Sequence, residues 1–331
     1  MANLWESMAT PDKAHRLTDK ELAALEKRIA SAYKQAADEM QNKVDAYFRS
    51  FAKRDAEQKA LIGTIVNGKP YTEQDYKQWR LAQIGRGKRI EALRDRLAEC
   101  MTRANEVTAA YINGDMPKIY AMNRAYIIKS VREEAGDILD GVDFALWDEQ
   151  TVKRLLLEEP DLMPYYPKER AVKRGIDLEY GKRKITEFVT QGILQGEGID
   201  RMARKLMDNI VGMEQASAVR AARTAVTAAE NAGRQAGREE LESKGVILNK
   251  RWIATHDSRT RHEHAIADGQ TVMNDMPFEV GGEYLMFPGD GSMGASGWNI
   301  YNCRCSSTAE IVGFKSILTA EQRKRAKIRV E

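Results

Sequence analysis

The sequence predicts a mainly α-helical protein with a C-terminal α+β module, and three observations predict it. Apolar residues recur at gaps of three and four from Leu22 to Phe51 and again from Ile90 to Tyr111, which marks one buried face of a helix. After Lys244-Gly245 that period gives way to short β-prone segments separated by Gly, Asp, Asn and Pro. At 331 residues the chain is longer than one hydrophobic core usually grows, so several domains are expected.

Residues 1–135 read as a long helical hairpin or arm. Thr18-x-x-Glu21 reads as a capping box opening the stripe Leu22, Leu25, Ile29, Tyr33, Ala36, Met40, Val44, Tyr47 and Phe51. This helix should end before Gly63 and the turn at Asn67-Gly68-Lys69-Pro70. A second helix should start near Thr72, carry Ile90, Leu93, Leu97, Met101, Ala104, Val107 and Tyr111, and stop at Asn113-Gly114. Cys100 sits on its apolar stripe as a small core residue. Two long helices joined by a short turn predict an antiparallel hairpin or coiled coil. Met116-Pro117 then opens a further helix, with Pro where its missing N–H costs little.

Residues 136–180, broken by Gly136, Gly141, Pro160, Pro164, Pro167 and Gly175, read as a linker region with short helices. Helical pattern returns over 181–245, from Lys182 to about Asp208 and from Glu214 to Ser243, the latter with a small-residue stripe at Val219, Ala222, Val226 and Ala229. Residues 246–313 form the small α+β module, with strands over Val246–Thr255, Thr271–Met273, Phe278–Val280, Tyr284–Phe287 and Ser306–Val312. Residues 314–331 form a basic tail containing Lys315, Arg323, Lys324, Arg325, Lys327 and Arg329.

With 52 Lys+Arg against 49 Asp+Glu, the net charge of +3 excludes a dedicated nucleic-acid coat. DNA contact would be local, through phosphates held by the basic tail. No run approaches the ~18 apolar residues of a spanning helix, and Met1–Lys13 lacks a signal-peptide pattern, so a cytosolic site of synthesis is expected and no membrane partner. Cys100, Cys303 and Cys305 are too few for a disulfide framework.

The densest chemistry lies near the C-terminus. Three of the four histidines, His256, His262 and His264, fall within nine positions, and Asn302-Cys303-Arg304-Cys305 follows downstream. In an extended strand Cys303 and Cys305 point to one face, which suits a tetrahedral metal. Zinc would be held by His264, Cys303 and Cys305, with His262, His256 or Asp257 completing the set. The simpler reading is two buried thiols beside an Asp257–Arg261 ion pair. A metal-dependent nuclease is the enzymatic alternative, since the same cluster offers ligands and a general base. Gly289-Asp290-Gly291-Ser292-Met293-Gly294 spells G-x-G-x-x-G, but Pro288 precedes it and no helical pattern follows, so it reads as a flexible surface loop and not a dinucleotide site.

Taken together, Arg223-Thr224 in a helix, Trp252 in a strand, Asp257-x-Arg259-Thr260-Arg261-x-x-His264, Asp268-Gly269-Gln270, Phe287-Pro288-Gly289 and Asn302-Cys303-Arg304-Cys305 resemble, in order and spacing, the phage Mu F-like minor head proteins over about residues 180–312. The resemblance implies a non-enzymatic virion protein. It would be made in the host cytoplasm and present in a few copies at the portal vertex of the head. Its partners would be the portal or major capsid protein, and its role head morphogenesis or DNA packaging and ejection. Some members carry Cys-x-x-Cys where this chain has Arg261-His262-Glu263-His264, so Arg261 stands at the first cysteine. A buried arginine–carboxylate network would then substitute for the metal staple. Trp252 is expected under the small sheet, with Arg223 and Thr224 satisfying backbone groups where helix meets strand. Few residues follow the last motif, which is expected to leave no room for the toxin domains fused to some members.

Overall fold

The computed structural model describes residues 12–85, 88–158 and 178–315. The linker positions Pro160, Pro164, Pro167 and Gly175, and the tail beyond Lys315, lie outside the described residues. The protein is mainly helical with a small C-terminal β-containing region.

Helix α1 (Lys13–Ala60) begins earlier than the sequence suggests. Asp12 Oδ1 accepts the His15 N–H at 2.8 Å, which makes Asp12 the capping residue. Thr18 is instead buried within the helix, its hydroxyl accepting from Asn123 Nδ2 at 2.9 Å, so the expected capping box at Thr18 is overturned. Strands β1 (Ile65–Val66) and β2 (Lys69–Pro70) form a hairpin. Its turn residues Asn67 and Gly68 both have positive φ, 52° and 76°, as a two-residue type I′ turn requires. Thr72 caps α2 (Glu73–Arg80) in a capping box with Asp75, and one π turn at Leu81–Gly85 follows.

Helix α3 (Lys88–Ala135) runs without a break through Asn113-Gly114 and Pro117, where the sequence predicts a stop and a restart. Ile112, Met116, Ile119 and Tyr120 are all buried, and such packing outweighs local propensity. A turn at Gly136–Leu139 leads to α4 (Glu149–Glu158). Helix α5 (Leu178–Leu194) precedes α6 (Ile199–Ser243), which is likewise continuous across the break expected between Asp208 and Glu214.

The module that follows contains β3 (Val246–Ile253), α7 (His262–Ile266), β4 (Thr271–Met273), β5 (Phe278–Val280), β6 (Glu283–Leu285), α8 (Gly297–Ile300) and β7 (Ser306–Phe314). An antiparallel sheet has the order β4-β3-β7, and β5-β6 is a separate hairpin. Along β3, Val246, Leu248, Lys250 and Trp252 are buried in alternation, as a strand with one covered face requires.

The chain divides into two compact units. The first takes the described residues of Met1–Glu26, Ile112–Pro167 and Arg220–Glu331, and the second those of Lys27–Tyr111 and Lys168–Val219. In the second, Tyr47 Oη donates to the Ile84 carbonyl at 2.6 Å, and buried Arg80 pairs with Asp55 at 2.9 Å while donating to the Glu197 carbonyl at 2.8 Å. Cys100 is buried there, as expected. In the first unit, α6 lies directly on α3: a Cβ at Gly233 would collide with the Tyr120 carbonyl, and one at Gly237 would come within 2.9 Å of the Arg124 carbonyl. Two apolar cores flank β3. One gathers Ile127, Val131, Leu139, Leu241 and Leu248; the other gathers Trp252, Phe278, Leu285, Cys303 and Cys305.

Candidate metal centre

Four pieces of chain in the first unit meet at His264, Cys303 and Cys305: α6, the end of β3, the short α7, and the extended segment that enters β7. The three side chains are only 2–3% exposed. His264 Nδ1 lies 3.6 Å from Cys303 Sγ and 3.4 Å from Cys305 Sγ. The three ligand atoms fall within 4.8 Å of one another, the one such group of three or more His, Cys, Asp or Glu among the described residues.

The thiols share their charge unequally. The Cys305 thiol, together with the Cys305 N–H at 3.4 Å, donates to the Cys303 sulfur, which holds Cys303 well below the usual thiol range, with His264 adding to the effect. Cys305 is pushed well above that range, first by its neighbour's sulfur and then by burial. Two thiolates side by side in an apolar core repel one another, and a divalent cation would remove that obstacle by displacing the remaining proton.

Tetrahedral zinc with ordinary Zn–S and Zn–N bonds would set nitrogen and sulfur about 3.6 Å apart, so the donor types and spacings fit. The fit has two gaps. His264 Nε2 is buried with no hydrogen-bond partner, whereas the second nitrogen of a ligating histidine normally has one. No fourth ligand joins among the described residues. His256 is engaged with Asp268 at 3.1 Å, His262 is exposed, and Asp257 pairs elsewhere.

A frame of side chains fixes the Cys-x-Cys backbone. Thr224 Oγ1 accepts the Asn302 N–H at 2.9 Å, which anchors a residue with φ 55°. Thr227 Oγ1 donates to the Cys303 carbonyl at 2.6 Å, Asn231 Nδ2 to the Cys305 carbonyl at 3.0 Å, and Thr255 Oγ1 to the Arg304 carbonyl at 2.6 Å. Trp252, fully buried, meets the His264 and Phe278 rings edge-on at 5.6 and 5.3 Å. Its indole N–H makes no hydrogen bond of standard geometry, yet it lies near enough to temper the rise at Cys305.

The expected Asp257–Arg261 ion pair is not formed. Asp257 is gripped by both terminal nitrogens of Arg304, at 2.5 and 2.6 Å, which holds its carboxyl well below the ordinary range. Arg261 instead donates to the Tyr301 carbonyl and covers the Trp298 ring at 5.4 Å. Arg223 pairs with Glu26 at 2.6 Å and not with backbone.

Asp268 accepts the Ala254 N–H at 2.8 Å, and Gly269 adopts φ 77°. Gln270 makes both side-chain hydrogen bonds to the Glu279 backbone, at 3.1 and 2.9 Å. In the glycine loop, Asp290 is fully buried and accepts from the Met286 and Ser292 N–H groups at 2.9 and 2.8 Å. The exposed residues follow from Ser292 onward, so the expected surface loop has a fixed root. Sequence reading missed Thr227, Asn231 and Thr255. The spacing Thr224, Thr227, Asn231 was the available signal, since positions three and seven apart share a helix face.

Residues 183–308 match the family model described as Phage Mu protein F like protein. The NAD(+)–arginine ADP-ribosyltransferase EFV of Enterococcus faecalis is 29% identical over 130 residues, 39% of this chain and 26% of that protein. The Minor head protein GP7 of Bacillus phage SPP1 is 32% identical over 123 residues, 37% of this chain and 38% of that protein. The similarity thus spans well under half the length of either relative. No solved structure matches the chain.

Proposed function

We propose, from the premise that residues 183–308 are a phage Mu F-like domain, that the chain is a structural minor head protein of a tailed phage, acting at the portal vertex in head morphogenesis or in DNA packaging and ejection. The observation that carries this reading is burial. The motif residues His264, Cys303 and Cys305 are closed to solvent, and the side chains of Thr227 and Asn231 hold the carbonyls of the two cysteines, the arrangement of a staple, whereas a catalytic centre must admit its substrate. Similarity to a protein named as a minor head protein agrees with it. The similarity to an ADP-ribosyltransferase covers 26% of that longer protein. Within this reading, His264, Cys303 and Cys305 would hold a zinc ion joining α7 to the segment that enters β7, while Asp257–Arg304 serves as a second clasp.

Heads purified from infected cells and analysed by mass spectrometry should contain the chain, and infection lacking it should yield fewer DNA-filled heads. Its absence from purified heads would contradict the proposal. Zinc determined by elemental analysis should approach one per chain and fall severalfold in Cys305→Ser; metal-free wild-type protein would leave the thiols as core residues. Plasmid incubated with the protein and Mg²⁺, Mn²⁺ or Zn²⁺ should stay intact, and arginine-containing protein incubated with NAD⁺ should stay unmodified. Turnover lost on His264→Ala would favour an enzyme.

A further inference from the structure

Within the first unit, the start of α1 is fastened to α6 and α3 almost entirely through polar groups. From Asp12 to Leu22 the one buried apolar side chain is Ala14, whereas His15 and Thr18 are buried and Leu17 is exposed. Arg234 of α6 grips both oxygens of Asp12, at 2.6 and 2.9 Å. The same guanidinium donates to Glu230 at 3.1 Å, to the Asn123 side chain at 3.1 Å and to the Ser307 carbonyl at 3.0 Å. His15 Nδ1 lies 2.8 Å from Glu230 Oε1, and Asn123 of α3 donates to Thr18.

Charge balance in this cluster depends on one proton. Asp12 and Glu230 bring two negative charges against the single positive charge of Arg234, so His15 completes the balance only while it is protonated. Arg234 is fully buried, and Glu230 and His15 are nearly so, which makes a leftover charge costly. Few other charged or titratable groups face the ring. Asp19 of the same helix is 3.9 Å away and largely exposed, Tyr126 of α3 lies against Arg234, and Arg304 at the β7 entry acts on Asp19. Burial pulls the His15 value down, but Glu230, helped by Asp19, holds it above the ordinary 6.5. Docking of this stretch therefore favours the protonated ring. Its contribution is complete below the ordinary histidine value and is lost as pH rises through the docked one. Loss of the proton leaves one buried negative charge in excess, and undocking relieves it by carrying Asp12 into water.

We propose that the first turns of α1, Asp12–Leu22, are a proton-operated strap, seated on α6 and α3 while His15 is protonated and released in a growing minority of molecules once it is neutral. The device is independent of the zinc reading and is tested on the purified full-length chain by hydrogen exchange read by mass spectrometry at pH 6 and pH 8, corrected for intrinsic rates. The opening equilibrium of Asp12–Leu22 should rise severalfold at the higher pH, with no matching rise in the buried stretch Ala225–Ala229 of α6. His15→Gln keeps a donor for Glu230 without the charge, and should be as open at pH 6 as the wild type is at pH 8. Glu230→Gln removes one of the two carboxylates, and should keep the strap protected at pH 8. A purely structural contact would instead loosen in both variants at both pH values. Equal opening of the wild type at the two pH values, or a pH response that survives in His15→Gln, would overturn the proposal. So would a rise shared by Ala225–Ala229, since the whole unit would then be loosening, or a strap opened by Glu230→Gln at pH 8, since the contact and not the balance of charge would then hold it.

Discussion

Lys250 is fully buried on the covered face of β3, its Nζ donating to the Met286 carbonyl at 2.7 Å and lying over the Phe278 ring. Burial, with Arg238 adding to it against Glu239, Asp290 and Asp275, brings its pKa down to about 7. Between pH 7 and the ordinary lysine value near 10.5 the unfolded chain therefore binds more protons than the folded one, and stability rises with pH through that window. Urea unfolding followed from pH 7 to 9 should show a gain of about 2 kcal/mol at most, and Lys250→Met should flatten it. His15, held above its usual value against burial by Glu230, contributes stability that is lost as pH rises, so the difference between wild type and variant is the quantity to read. The frame around the thiols makes a second prediction. Thr227→Val leaves the Cys303 carbonyl buried without its donor and should cost about 1–3 kcal/mol in thermal or urea unfolding; an unchanged midpoint would mean that another group takes over. His264, Cys303 and Cys305 were legible from sequence because rare side chains were concentrated there. The partner of Asp257 was not, since Arg261 and Arg304 are chemically equivalent candidates and only the tertiary path of the β7 entry brings Arg304 to it.

The contact of α6 with α3 is set by two glycines that sequence reading passed over in favour of the alanine and valine stripe. Gly233 rests on the Tyr120 carbonyl with no room for a methyl group, while Gly212 of the same helix has nothing within 4 Å of its Cβ position. Alanine is intrinsically favoured over glycine inside a helix by up to about 1 kcal/mol, so the two positions should respond with opposite signs. Gly212→Ala should raise stability by up to that amount, and Gly233→Ala should lower it by about 1–3 kcal/mol through overpacking. Equal effects at both sites, read by denaturant titration, would refute the close approach. The same contrast explains what was legible among the elements. Periodicity located α1, α3 and α6, whereas their unbroken lengths depended on burial around Pro117 and around Thr18, and local signals for caps and breaks carry no information about burial.

The change of period near Gly245 did mark where the β-containing region starts. The grouping of the rest could not be read along the chain, because the first unit recruits α1 through Asp12 and His15, whose partners are Arg234 at 2.6 Å and Glu230 at 2.8 Å on α6. Residues of the expected arm 1–135 consequently belong to both units. Each unit has its own buried residues: Leu248 and its neighbours in the first, Leu97 and Met101 in the second. Stretches of helix in water are marginal without tertiary packing, so the parts of α1, α3 and α6 lying in one unit should melt with that unit's core even though the helices continue past it. Far-UV circular dichroism during urea unfolding should therefore fall in two steps. Leu248→Ala and Leu97→Ala, each removing a fully buried side chain at a cost of about 2–5 kcal/mol, should move different steps. A single transition shifted equally by both substitutions would mean that the continuous helices couple the units into one cooperative body.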